Sequence, residues 1–122
     1  MWTYSQSTGA LASQDGSVRS TGYSGNGADL NNPAGQGDKG HGPIPQGAWT
    51  IGPFFDDPGG KGPCVCHLTP QTGTDALGRS GFMIHGDNSE ANHTASEGCV
   101  ILAREVRDAI AESGDRTLHV NP

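Results

Sequence analysis

A histidine closing one apolar run and a cysteine opening the next are the residues best equipped for chemistry. The first run ends Ile84-His85-Gly86-Asp87, and the second begins Ser96-Glu97-Gly98-Cys99-Val100, with the cysteine 14 positions after the histidine. A thiol beside an imidazole is the requirement for a cysteine nucleophile with a partner acid/base. If the two runs are neighbouring strands, their ends meet. Gly98 allows close backbone approach. The N–H groups of Gly98 and Cys99 can then serve as an oxyanion hole beside the sulfur. Gly86 leaves space above His85. Spacing alone is a weak signal, because a free cysteine is often a small buried apolar residue.

The neighbours offer support roles. Asp87 can orient or contact a substrate amine, but it also reads as an ordinary turn residue. Ser96 can bond His85 or the oxyanion, or cap the local turn. Glu97 is expected to face solvent, since a carboxylate turned inward raises a thiol pKa. His93 is a rival base that reads better as an exposed loop residue. Tyr23, on a glycine-flanked turn, is the best candidate for a substrate groove; the other large aromatics read as core. Cys64-Val65-Cys66-His67 puts two thiols on one strand face. Structural zinc prefers C-x2–4-C with a second ligand pair, and none is present, so packed thiols are the expectation and no metal is assigned.

The elements that position these residues are mostly short strands. Trp2, Tyr4 and Gln6 alternate in a first strand, Ala10 to Ser13 follows as a second, and Val18 to Ser24 reads as a third. Residues 25–43 lack periodicity and read as a mobile loop. Ala48 to Ile51 is a strand, 52–63 a Pro/Gly loop, Cys64 to Thr69 a strand, 70–80 a polar turn, and Gly81 to His85 an apolar strand. Leu102, Val106, Ala109 and Ile110 share one face of a helix near 103–113. Gly114 caps it, and Leu118 and Val120 form a closing strand.

Composition bounds the reading. The chain has 122 residues, which suits a single domain over 1–122. With 20 glycines and 8 prolines but no G-X-Y period, it is turn-rich and not collagenous. The longest apolar run, Val100 to Ala103, cannot span a bilayer. The start, Met1-Trp2-Thr3-Tyr4, lacks a basic n-region and an apolar h-region, so no secretory signal is expected there. A net charge of −6 speaks against nucleic acid as a partner. Three cysteines are an odd set, so at least one free thiol is expected. Synthesis in a reducing bacterial cytoplasm is the default.

His85-Gly86 followed by Ser96-Glu97-Gly98-Cys99-Val100 resembles the signature of L,D-transpeptidases with a YkuD-type catalytic domain. Gly42-Pro43-Ile44-Pro45-Gln46-Gly47-Ala48-Trp49-Thr50-Ile51 resembles that family's TPxGxFxI stretch. Trp2-Thr3-Tyr4, Gly22-Tyr23-Ser24-Gly25 and Asn31-Asn32-Pro33 bring the chain nearer the small L,D-transpeptidase effectors of bacterial type VI secretion. The sequence departs from the family at Glu97, where a histidine is usual, at Ile101, where an arginine is usual, and in its short His-to-Cys spacing. The resemblance implies a mostly β, YkuD-like sandwich or barrel with one C-terminal helix. It implies cysteine-dependent L,D-carboxypeptidase or L,D-transpeptidase action on peptidoglycan stem tetrapeptides, without a cofactor. It implies export, action in the periplasm of a target cell, and a cognate immunity protein. The alternatives are a cysteine endopeptidase of amidase type, whose cysteine usually precedes its histidine, and a non-catalytic cell-wall or zinc-binding module.

Overall fold

Alternation and turn chemistry build ten strands and one helix in a computed structural model that describes residues 1–122. The strands are β1 (Trp2–Ser5), β2 (Ala10–Ala12), β3 (Arg19–Thr21), β4 (Tyr23–Ser24), β5 (Gly47–Ile51), β6 (Phe55–Asp57), β7 (Gly62–Pro70), β8 (Met83–His85), β9 (Val100–Ile101) and β10 (Thr117–Asn121). Helix α1 spans Arg104–Ser113, and two 3-10 turns cover Gly27–Asp29 and Pro33–Gly35. The sheet order is β3-β2-β1-β10-β5-β7-β8-β9-β4, with β6 paired to β7. Its two ends, β3 and β4, are consecutive in the chain, separated only by Gly22. The sheet therefore nearly closes on itself, giving the expected mostly β, barrel-like fold with one C-terminal helix.

One face of this sheet is packed with Trp2, Tyr4, Leu11, Trp49, Ile51, Leu68, Ile84, Val100 and Leu118, against Val106 and Ile110 of α1. Burying each of the two helix side chains contributes about 1.5–3 kcal/mol, so tertiary burial rather than helix propensity holds this short helix. A smaller cluster of Tyr23, Val65, Met83, Cys99 and Ile101 is separate from this core. Period-two alternation explains the division: Ile84 and Val100 turn to the main core, and their strand neighbours turn away. No helix is long and apolar enough to cross a membrane.

Three local expectations change. The segment 18–24 is two strands, because Gly22 breaks it and sends Tyr23–Ser24 to pair with β9. The segment 52–63 contains β6, which hydropathy hides because Phe55 and Asp56 are both exposed. The long segment 25–43 is pinned rather than mobile. Gln6 Nε2 donates to Ile44 O at 2.8 Å and Gln36 Oε1 at 3.1 Å. Asn26 Nδ2 reaches Gly40 O at 2.9 Å and Ser96 O at 2.7 Å.

Candidate active site

The pairing of β8 with β9 positions the two central residues. These strands run parallel, with Ile84 opposite Val100 and His85 opposite Ile101. Cys99 lies two positions before Ile101, so it falls on the same face as His85, one diagonal step away on the adjacent strand. Both are nearly covered, His85 at 3% exposure and Cys99 at 9%. They share no hydrogen bond; the Cys99 thiol lies 3.9 Å from the Gly81 carbonyl.

The imidazole is held in one tautomer. His85 Nδ1 lies 2.8 Å from the Gly86 carbonyl, which can only accept, so Nδ1 carries the proton. Nε2 keeps its lone pair, is buried, and has no partner in the protein. Burial holds the His85 pKa below its ordinary 6.5, with Lys61 and Arg107 pushing the same way. Burial also raises the Cys99 pKa above 9.0, and Glu97 adds to this, against the Met83 N–H and the Lys61 and Arg79 charges. At neutral pH the resting pair is thus a thiol and a neutral imidazole able to act as a base.

Cys99 opens on a cleft of about 430 Å³ shaped by Lys39, Lys61, Arg79, Phe82, Glu97 and Gly98, among others. Gly98 has φ +137°, and a Cβ there would meet Arg79 Nη2 at 2.5 Å and Phe82 Cε1 at 2.8 Å, so no larger residue fits. The Gly98 N–H is already bound to Ser96 Oγ at 3.1 Å, which corrects its expected place in an oxyanion hole. The Cys99 N–H has no hydrogen-bond partner within the chain and stays free for an oxyanion.

Ser96 caps the turn. Its hydroxyl donates to Cys99 O at 2.6 Å and accepts from Gly25 N at 2.9 Å as well as Gly98 N. It bonds neither His85 nor open space. Asp87 acts in the same structural way: it accepts from Tyr23 OH at 2.6 Å and from the Asn88 N–H at 2.9 Å. Tyr23 stands beside a second cleft, with Gly86, Asp87 and His93, rather than in the one that Cys99 borders. It is 4% exposed, does not line the Cys99 cleft, and its hydroxyl also accepts from Ala95 N at 3.1 Å. Burial and Asp87 push its pKa up to about 12. The space above Gly86 is not empty either: a Cβ there would meet Arg107 Nη2 at 2.7 Å. Glu97 is exposed at the cleft rim, and His93 is exposed with its ring edge-on to Tyr23 at 4.9 Å.

Arg79 is a residue that sequence reasoning missed. Its guanidinium donates to Gln36 O at 2.6 Å, Pro43 O at 2.8 Å, Gly42 O at 2.9 Å and Glu97 O at 3.0 Å. It also stacks over Phe82 at 5.1 Å. One side chain thereby ties the 36–43 segment to the turn that carries Cys99. Its partners are backbone carbonyls, which every sequence supplies, so no motif marks it. The lysines on the cleft rim were missed too, although the chain has only two.

Cys64, Cys66 and His67 lie away from this cleft. Cys64 Sγ contacts Asp108 Oδ1 of α1 at 3.2 Å, and Cys66 is fully buried in the main core. All three cysteines are free thiols. No group of three or more His, Cys, Asp or Glu side chains is gathered to hold a metal ion. No protein-family model matches the chain, and no curated protein matches it.

Proposed function

We propose that this chain is a cysteine-dependent acyl-transfer enzyme acting on peptidoglycan stem tetrapeptides, as an L,D-carboxypeptidase or an L,D-transpeptidase. The observation that carries the reading is the buried, unpartnered Nε2 of His85 on the sheet face it shares with Cys99, a residue that lines an open cleft. The resemblance in residues 84–100 supplies the substrate class.

In this reading Nε2 takes the thiol proton as Cys99 Sγ attacks the carbonyl at the L-centre of diaminopimelate. The Cys99 N–H receives the developing oxyanion. The C–N bond to the terminal D-alanine then breaks, and the imidazolium returns its proton to the leaving amine. The thioester left on Cys99 is resolved by water, giving a tripeptide, or by a free D-amino acid, giving exchange. Either outcome removes tetrapeptides from cross-linking. The biological setting that goes with the reading is delivery by a secretion machine into a target cell's periplasm, with a cognate immunity protein protecting sibling cells.

The test is muropeptide analysis after periplasm-directed expression of the wild-type chain and of Cys99→Ala. Loss or capping of tetrapeptides with the wild type alone is expected. Unchanged muropeptides with the wild type, or full turnover by Cys99→Ala, overturn the reading.

A further inference from the structure

Both lysines of this chain, Lys39 and Lys61, line the cleft that Cys99 borders. They arrive from different places, Lys39 from the pinned 25–43 segment and Lys61 from the turn between β6 and β7. Both are exposed, and neither pairs with a carboxylate; the two ion pairs of the chain join the N-terminus to Asp115 and Arg104 to Asp108. Arg79 adds a third cation to the lining, and Glu97 is its one acidic side chain. A chain of net charge −6 has therefore concentrated three of its seven basic residues around one thiol. A concave surface focuses such a field and raises the local concentration of anions. The Lys61 charge acts on both Cys99 and His85, lowering the pKa of each.

We propose that Lys39 and Lys61 form a carboxylate-binding pair that makes the cleft selective for acyl donors ending in a free carboxylate. The substrate class rests on the function proposed above. In a tetrapeptide stem the terminal carboxylate belongs to the residue that leaves, one residue beyond the attacked carbonyl. A cation pair beside the nucleophile can hold that carboxylate while Cys99 attacks. Stems whose terminus is amidated or already extended lack the charge at that distance. Backbone carbonyls hold four of the five Arg79 N–H donors, whereas the two lysine ammonium groups are exposed and unpaired.

Two readouts on the full-length chain test this. The first is the rate of Cys99 alkylation by anionic iodoacetate against neutral iodoacetamide, followed by peptide mass mapping that separates Cys99 from Cys64 and Cys66. The thiolate displaces iodide in both cases, so the ratio reports the charge of the cleft. In K39Q/K61Q the ratio is expected to fall by about fivefold, and added salt is expected to lower it in the wild type only. An unchanged ratio overturns the cation pair. The second is turnover of a stem tetrapeptide and of its C-terminal amide. The double variant is expected to raise KM for the free acid by about tenfold and leave KM for the amide unchanged. Equal preference for the free acid in wild type and variant overturns the selectivity. Wild-type protein that turns over neither peptide overturns the substrate class together with the proposed function, while the alkylation ratio still decides whether the two lysines gather anions at Cys99.

Discussion

His85 stands opposite Ile101 in the parallel pair of β8 and β9, which puts Cys99 one diagonal step from it on the same sheet face. The proposed base thus ends strand β8, and the proposed nucleophile is the last residue of the turn that leads into β9. Their backs, Ile84 and Val100, are fully buried in the main core. The site is thereby fixed by the same packing that stabilises the fold.

With His85 as the proposed base, its titration is expected to set the pH dependence. Its pKa lies below 6.5, so the rising limb of kcat/KM against pH is expected below 6.5, and the activity is expected to be flat from there to 9. His85→Gln is expected to lower kcat/KM by about 10²- to 10⁴-fold. An apparent pKa above 6.5 for the rising limb contradicts this assignment. Stability follows the same sign. The unfolded chain binds a proton at His85 more readily than the folded one, so this contribution is present above pH 6.5 and lost as pH falls below it. Urea melts at pH 7.5 and 5 are expected to show a smaller acid loss in His85→Gln than in the wild type.

Ser96 is expected to be structural. Ser96→Ala leaves Gly25 N and Gly98 N without their acceptor and costs about 3 kcal/mol in denaturant unfolding. An unchanged melting midpoint contradicts the capping role.

Removal of the Tyr23 hydroxyl separates a post from a substrate contact. Tyr23→Phe is expected to cost about 1–2 kcal/mol of stability, through the unpaired Ala95 N–H and the lost bond to Asp87, and to leave KM for a tetrapeptide unchanged. A raised KM at unchanged stability returns Tyr23 to the groove.

Arg79→Met deserts four carbonyls at once and is expected to cost about 4 kcal/mol, with limited proteolysis appearing first in 36–43. Global unfolding without that early cleavage contradicts the local role.

The parts legible in the sequence are those with strong local periodicity. Leu102, Val106, Ala109 and Ile110 mark one face of α1, and Gly81 to His85 is apolar enough to be read as a strand. The illegible parts depend on partners distant in the chain. Nothing in Val18–Ser24 announces that its last two residues pair with Val100 and Ile101. The 25–43 segment lacks periodicity because side chains from Asn26 and Arg79 hold its backbone, and Gln6 holds its Gln36 side chain, in place of a regular ladder. Tyr23 looked available for ligand because glycines flank it, whereas those glycines serve close backbone approach.

The most direct measurement is the intact mass of the protein after incubation with a stem tetrapeptide or a carbapenem, followed by peptide mapping. The account predicts one acyl adduct, on Cys99, formed by the wild type, absent from Cys99→Ala and much slowed in His85→Gln. An adduct on Cys64 or Cys66 instead, or wild-type protein that remains unmodified by both reagents, contradicts it.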